Sequence, residues 1–266
     1  MRVFIVAVLL LAVFAFPAWG DVGGIPHNPH DAEHTTVVGL TTEDGYSGAF
    51  DTSTNGTWEE VTGEDGQLHW MYDFYDPDGY DIVANDGSGT VIGEIISLNY
   101  DGKPDPQVQL GFSCRARASN TTFSFKSSIG VVPQITNAIA RATASVTLTD
   151  SSENGAFITG LFGGKAYQAR YNTSSVFTSL VSSFTVTGGG TTMSENDPVD
   201  GVSYRPVAGT ITQMEAEYNF ILKAWDSASG TSNFIMLGEP VPEPSSMLAL
   251  ASGMIGLIGF GVRKRR

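Results

Sequence analysis

Cysteine and histidine, which supply much of the nucleophilic and acid–base chemistry of enzymes, are scarce in this chain of 266 residues. With one cysteine, Cys114, the chain cannot form an internal disulfide. Of its four histidines only His69 lies outside the N-terminal region, and no G-x-S-x-G pattern is present. The sequence therefore lacks a nucleophile elbow and a cysteine with a partner base, and we predict that the protein is not an enzyme.

Basic residues are also few, with 14 Lys and Arg against 28 Asp and Glu. All 28 acidic residues but only nine of the basic ones lie within residues 21–244, which gives that part a net charge of −19. Such a surface repels nucleic acid and anionic lipid, so we expect no nucleic-acid partner. It suits solubility outside the cell, cation binding or mixing with a hydrated polysaccharide.

The chain begins with the features of a secretion signal. Met1 and Arg2 give a positive start, and the apolar run 3–16 that follows is too short to span a bilayer comfortably. Ala18 and Gly20 then provide a small-residue site for signal peptidase. We predict that residues 1–20 are removed, with an uncleaved N-terminal anchor as the alternative.

Residues 21–34 precede the first predicted strand and contain three histidines, His27, His30 and His34. Pro26 and Pro29 directly precede the first two of them. Imidazoles three and four residues apart share a metal only when the segment is helical. The prolines argue against a helix, so we expect a mobile N-terminal arm.

A second apolar segment lies near the other end. Residues 245–262 carry no charge and, at about 1.5 Å per helical residue, reach roughly 27 Å, just enough to cross a membrane. The basic residues 263–266 follow, and by the positive-inside rule they leave the upstream chain outside the cytoplasm. Before the helix, Pro242 and Pro244 keep the chain around Glu243 extended, where a protease could grip it.

In this order, the Val-Pro-Glu-Pro motif of residues 241–244, the apolar helix and the basic tail resemble the PEP-CTERM sorting signal of Gram-negative, exopolysaccharide-making bacteria. In that family an exosortase, a membrane-embedded cysteine transpeptidase, recognises the signal and removes the tail. The resemblance implies that Pro242, Glu243 and Pro244 form the sorting motif within residues 239–266. It also implies a transient inner-membrane anchor and a final place at the cell surface or in the extracellular matrix. A proline-rich spacer before a permanent anchor is the alternative.

The residues between the two signals, 35–238, predict one antiparallel β-domain. Apolar and polar residues alternate in 108–118, 140–149 and 214–224, as in half-buried strands that need a second layer to cover them. Pairs that favour tight turns recur, mostly about ten residues apart. They are Asp44-Gly45, Asn55-Gly56, Asp65-Gly66, Asp78-Gly79, Asp86-Gly87 and Asp101-Gly102. We predict a jelly-roll-like β-sandwich, and within it a buried thiol at Cys114 with an intermolecular disulfide as the alternative.

One segment departs from this alternation. Val176, Phe177, Leu180, Val181 and Phe184 recur with the spacing of one helix face, and the serines before them are suitable N-caps. We therefore predict a short helix over 176–184. The stretch from 142 to 172 and residues 226–234 also resemble the bodies of many PEP-CTERM proteins, which are secreted β-sandwiches; this similarity implies a fold and no activity.

Two groups of carboxylates suggest a cation site. Asp76, Asp78 and Asp81 surround Gly79, and clustered oxygens of this kind bind calcium. However, the glycine is misplaced for an EF-hand and no downstream glutamate completes one, so acidic hairpin turns are the alternative. A weaker group is Glu195, Asn196, Asp197 and Asp200. We predict no metal site and no cofactor, with calcium at these carboxylates left open.

Aromatic residues concentrate in one short stretch, and exposed rings of this kind can stack on sugars. They are Trp58, Trp70, Tyr72, Tyr75 and Tyr80. Because Trp70, Tyr72 and Phe74 alternate along one strand face, core packing is the favoured interpretation.

These features predict an exported structural or adhesive protein of an exopolysaccharide (biofilm) matrix. A carbohydrate-binding module is the first alternative and requires Trp58, Trp70, Tyr72 or Tyr75 to be exposed in a groove. A secreted glycan hydrolase is the second and requires two carboxylates about 5 to 10 Å apart in a cleft. The predicted partners are signal peptidase, exosortase and extracellular polysaccharide.

Overall fold

A computed structural model describes residues 34–63, 68–103 and 106–240 of the chain. Every regular element in these ranges is a strand, which confirms the predicted all-β, antiparallel class. The strands are β1 (His34–Thr42), β2 (Ser47–Phe50), β3 (Thr57–Thr62), β4 (Leu68–Val83), β5 (Val91–Lys103), β6 (Gln107–Ala116), β7 (Thr121–Asp150), β8 (Ala156–Gly160), β9 (Lys165–Tyr171), β10 (Ser175–Ser182), β11 (Phe184–Val186), β12 (Gly189–Asp197), β13 (Arg205–Pro206), β14 (Ile211–Leu222) and β15 (Ser227–Pro240). The predicted signal peptide, residues 21–33, the sorting motif and the apolar tail lie outside the described residues. Within the described ranges there is no helix of the length and hydropathy needed to span a membrane.

The long strand β7 organises the sheet. Its first part, residues 121–130, pairs with β1 on one side and β14 on the other. Its second part, residues 139–150, pairs with β15 on one side and with β12 and β13 on the other. We call β2, β1, β14, β8, β11, β9, β10 and the first part of β7 the first half-sheet. The second half-sheet consists of β3, β4, β5, β6, β15, the second part of β7, β12 and β13.

The core lies between these two half-sheets, which face each other. Phe112 on β6 stacks on Phe125 on β7 with ring centroids 4.3 Å apart, and Tyr218 on β14 packs edge-on at 4.9 Å. The buried Tyr218 hydroxyl donates to the carbonyl of Thr231 at 2.6 Å, so its polar atom is satisfied. The predicted second layer is thus the same sheet curled back on itself, which corrects the expected jelly-roll-like sandwich to one curled, 15-stranded sheet.

Cys114 on β6 is fully buried in this core, as the alternation predicted. Burial raises the pKa of its thiol well above the usual range, because the charged thiolate is poorly solvated there. The thiol is therefore an inert part of the packing.

The predicted helix over 176–184 is wrong, because β10 and β11 occupy these residues. The pairing of β10 with β9 shifts register between Val176 and Thr178, and Val181 has a positive φ of 63°. These irregularities break the period of two, so Phe177, Leu180 and Val181 are all buried although their spacing is not that of a regular strand. A bulged strand thereby reproduced the apolar spacing of a helix.

The turn predictions are confirmed at two hairpins and corrected at two other places. Gly45 and Gly87 have φ values of 89° and 80° in the turns that follow β1 and β4. Gly79 also has a positive φ, but residues 76–79 bulge out of β4 between Tyr75 and Tyr80. Gly102 lies within β5, paired with Val108, and forms no turn.

A carboxylate on β12 ties the two half-sheets together at one edge. Glu195 accepts hydrogen bonds from the backbone N–H and hydroxyl of Ser182 at 2.8 and 2.7 Å and from Lys165 at 2.7 Å. Partial burial favours the neutral acid, but the bonds from Lys165 and Ser182 outweigh it and lower the pKa of Glu195 to about 2. Close by, Arg205 pairs with Asp197 at 2.9 Å and lies over the ring of Phe177.

Candidate functional site

A groove crosses the outer face of the second half-sheet, on the side away from the core. Its larger part has a volume of about 610 Å³ and extends from β3 to β15, and a smaller part of about 360 Å³ continues to β12. The two parts share Gln109, Thr231 and Ser232. Seven adjacent strands separated by about 4.8 Å give the whole groove a length of roughly 29 Å.

Strand register places the outward side chains of the groove in two parallel rows. The first row contains Asp73, Asn99, Gly111, Thr231, Ser145 and Ser194. The second contains Met71, Asp101, Gln109, Asn233, Thr143 and Asn196. The alternation that buries one face of each strand thus aligns hydroxyl, amide and carboxylate groups on the other face.

One position of the first row has no side chain. Gly111 lies on β6 in the middle of the first row, between Asn99 and Thr231. A Cβ atom at Gly111 would meet its nearest neighbours, Asn99 and the carbonyl of Gly230, at 3.8 Å, which is ordinary van der Waals contact. A larger residue would therefore fit the backbone here and would fill the groove.

Three carboxylates line the larger part of the groove. Glu59, Asp73 and Asp101 come from β3, β4 and β5. Asp73 accepts a hydrogen bond from the amide of Asn99, and Asp101 lies 3.2 Å from Nδ1 of His69. None of the described residues that line either part is Lys or Arg. The groove is therefore acidic as well as polar.

The aromatic residues of the predicted cluster divide between core and surface. Tyr72 is buried and donates its hydroxyl to the carbonyl of Asn55, while Trp58 and Trp70 are partly buried against the core. Core packing is confirmed for these three. Tyr75 is 69% exposed and stands opposite Ser97 on the outer face, one outward position along β4 from Asp73. It therefore offers a free ring beside the groove.

The proposed calcium ligands are not brought together. Asp76 accepts the N–H of Asp78 in the bulge of β4, whereas Asp81 pairs with Arg117 at 3.1 Å. In the second group, Glu195 and Asp197 are held by Lys165 and Arg205 as described above. Across the part of the chain that the structure describes, no three His, Cys, Asp or Glu residues are placed to hold a metal ion.

Sequence reasoning missed a network of salt bridges on the outer face of the first half-sheet. Glu215 and Glu217 on β14 are 2% and 8% exposed. Glu215 pairs with Lys126 at 2.7 Å and with Arg170 at 3.3 Å, and Arg170 also pairs with Glu217 at 3.3 Å. Desolvation raises the pKa of Glu217, and Arg170 opposes this effect. The sequence showed only alternating polar positions, because the cations come from β7 and β9.

Two residues of the stretches that resembled other PEP-CTERM bodies, Asp150 and Asp226, hold turns in place. Asp150 accepts the N–H groups of Asn154, Gly155 and Gly188 at 2.9 to 3.2 Å. The bond from Gly188 is the largest of several that lower the pKa of Asp150. Asp226 is fully buried and accepts the N–H of Ser151 at 3.1 Å. These side chains organise one end of the sheet and do not line the groove.

Comparison with curated proteins finds no match for this chain. A family model of the PEP-CTERM protein-sorting motif matches residues 240–266, which begin at the last residue of β15. The match includes Pro242, Glu243, Pro244 and the basic tail, and a motif of this kind directs a chain to an exosortase and to a cell-surface or extracellular fate. The chain is therefore an exosortase-targeted secreted protein whose PEP-CTERM sorting motif directly follows a curled, all-β domain.

Proposed function

We propose that the protein is a non-enzymatic adhesive component of an extracellular polysaccharide matrix and that it holds polysaccharide in the groove of the second half-sheet. The observation that carries the proposal is the groove itself, which presents two rows of hydroxyl, amide and carboxylate groups across seven strands. Polysaccharide chains are long and rich in hydroxyl groups, and they need many such partners at once. The adhesive hypothesis and the carbohydrate-binding alternative thereby become one proposal.

The exposed ring of Tyr75 supports a sugar ligand. Flat rings stack on the apolar faces of ligands while polar neighbours fix the orientation. Tyr75 lies at the margin of the groove, close in register to Asp73 and Asn99, which can form hydrogen bonds to sugar hydroxyls. Trp58, Trp70 and Tyr72 pack in or against the core.

Binding to neutral polysaccharides in affinity gels tests this proposal. Replacing Gly111 by Phe should fill the groove without a backbone clash. We therefore expect that polysaccharide in the gel no longer slows the migration of this variant. The control is Val37→Phe, which adds the same ring at a position that is 52% exposed on the outer face of the first half-sheet. Loss of binding in both variants, or in neither, would refute the groove as the binding site.

The absence of catalysis is part of the same proposal. Glu94, Glu215 and Glu217, which are buried on the outer faces, are all paired with arginine or lysine side chains and lie outside the groove. We expect no new reducing ends when the purified protein is incubated with the polysaccharides that it binds. Release of reducing ends that Asp73→Asn abolishes would instead favour the hydrolase alternative.

The sorting motif has a separate test in a host that carries an exosortase. We propose that Pro242, Glu243 and Pro244 are read by the enzyme, with residues 245–262 as the transient membrane anchor and residues 1–20 removed by signal peptidase. Replacing all three motif residues by Ala should leave export intact but retain the protein in the inner membrane with its basic tail attached. If this variant reached the surface without the tail, the assignment of the motif would be wrong.

A further inference from the structure

We infer that the groove selects polysaccharides whose sugars carry free amino groups. The inference rests on the proposed polysaccharide binding and adds the chemical class of the polymer. Its basis is a difference in ion pairing. Most of the other partly or fully buried carboxylates of the described domain have a Lys or Arg partner, and the groove carboxylates do not.

Among the described residues, no Lys or Arg side chain pairs with the carboxylates of the groove. The side chain of Glu59 forms no hydrogen bond or ion pair with another described residue. Asp73 and Asp101 use one oxygen each, for the amide of Asn99 and the ring nitrogen of His69. By contrast, Glu94 at 2% exposure is held by Arg115 at 2.9 Å, and Glu195 and Glu215 have lysine partners at 2.7 Å. The groove therefore keeps carboxylate oxygens free for a cation from outside the chain.

The spacing of the three carboxylates favours a polymer over a single metal ion. Glu59 and Asp101 lie on either side of Met71, and Asp73 is one outward position along β4 from Met71. With strands about 4.8 Å apart and outward residues about 6.7 Å apart along a strand, their Cα atoms are roughly 8 to 10 Å from one another. In the described part of the chain no three His, Cys, Asp or Glu residues are placed to hold one metal ion, so these three carboxylates do not form such a site. Ammonium groups spaced along an extended chain can each meet one of them.

The same charges disfavour acidic polymers. A chain of uronic acids would bring carboxylates against Glu59, Asp73 and Asp101, with no Lys or Arg among the lining residues to relieve the repulsion. A polymer of acetylated amino sugars keeps the hydrogen bonds of the groove but loses the ion pairs. The predicted order of affinity is therefore amino sugars first, neutral sugars second and uronic acids last.

The experiment compares three oligosaccharides of equal length by calorimetry at low salt and mildly acidic pH. The probes are glucosamine oligomers, the same oligomers fully N-acetylated, and oligomers of guluronate. We expect the wild-type protein to bind the free-amine form about ten-fold more tightly than the acetylated form, which is the size expected of a few exposed ion pairs. The combined variant Glu59→Gln, Asp73→Asn, Asp101→Asn should reduce this preference to about two-fold or less.

A matched variant separates the groove from the general acidity of the protein. Glu60→Gln, Asp78→Asn, Glu153→Gln removes the same number of charges at exposed positions outside the groove and should keep the ten-fold preference. Glu59→Gln alone disturbs no described contact and guards against misfolding of the combined variant. Equal losses in both combined variants would overturn the inference, as would equal affinity for the amine and acetylated forms. Failure to bind any oligomer would instead overturn the proposed polysaccharide binding.

Discussion

The salt-bridge network on the first half-sheet and the groove on the second half-sheet use carboxylates in opposite ways. On the first half-sheet, Glu215 and Glu217 are almost fully buried and held by Lys126 and Arg170. On the second half-sheet, Glu59, Asp73 and Asp101 line an open groove without a lysine or arginine.

This difference separates structural carboxylates from those available to a ligand. A buried charge destabilises a fold unless it is paired, so every carboxylate of the first network has a cation from a neighbouring strand. An exposed carboxylate is solvated by water and needs no partner within the chain. A carboxylate that lines a groove can therefore form an ion pair with a cationic group of a ligand. Three predictions test this division, beginning with the largest expected effect.

Loss of the shared cation should strongly destabilise the first network. Replacing Arg170 by Gln leaves Glu217 without its cation and Glu215 with Lys126 alone. We expect the free energy of unfolding at neutral pH to fall by about 3 to 5 kcal/mol in urea titrations, the cost of an uncompensated buried charge. The control is Arg141→Gln, which removes an arginine that lies over Tyr204 and pairs with no carboxylate of the described residues, and it should cost about 1 kcal/mol.

The pH dependence of this loss identifies its cause. Desolvation raises the pKa of Glu217 in the folded state, so its contribution favours folding below its ordinary pKa and is lost as the pH rises through the raised value. Removing Arg170 should raise that pKa further. The deficit of the variant should therefore shrink on acidification, as Glu217 becomes neutral. A deficit that is constant with pH would show that lost packing, and not the buried charge, is responsible.

An intermediate effect is expected at the edge where β12 meets β10. Glu195 has its pKa lowered from 4.5 to about 2, so it stabilises the fold above 4.5 and this stabilisation is lost as the pH falls towards 2. At neutral pH, Glu195→Gln should cost about 3 kcal/mol at most, and less after solvent screening of its partly exposed carboxylate. Thermal unfolding should show the wild-type and variant curves converging in acid. Glu153→Gln, at an exposed position, should change stability little at any pH.

Much of the fold could be predicted from short-range sequence patterns, and the groove could not. Alternation located the strands around Cys114, Val146 and Tyr218, because a period of two directly reflects which face is buried. It misled at Val181, where a bulge and a positive φ imitate helical spacing.

Sites that combine distant strands were beyond such reasoning. Gln109 and Thr231 belong to one groove only because β6 and β15 are adjacent in the sheet, and eight strands separate these two along the chain. The same holds for Glu215, whose burial depends on Lys126 and Arg170 from two other strands. The sorting motif is the opposite case, since its residues are contiguous and its family model matches 240–266.

The smallest effect should come from the groove carboxylates, and it completes the comparison. Neutralising Glu59, Asp73 and Asp101 together removes three negative charges that no lysine or arginine balances, so mutual repulsion is relieved and no ion pair with such a residue is broken. We expect the free energy of unfolding to stay within about 0.5 kcal/mol of wild type, with any change towards greater stability. Urea unfolding at low salt measures this, since screening at high salt would hide the repulsion. A loss of several kcal/mol would mean that these carboxylates hold the fold together as Glu215 does, and the distinction between the two faces would then disappear.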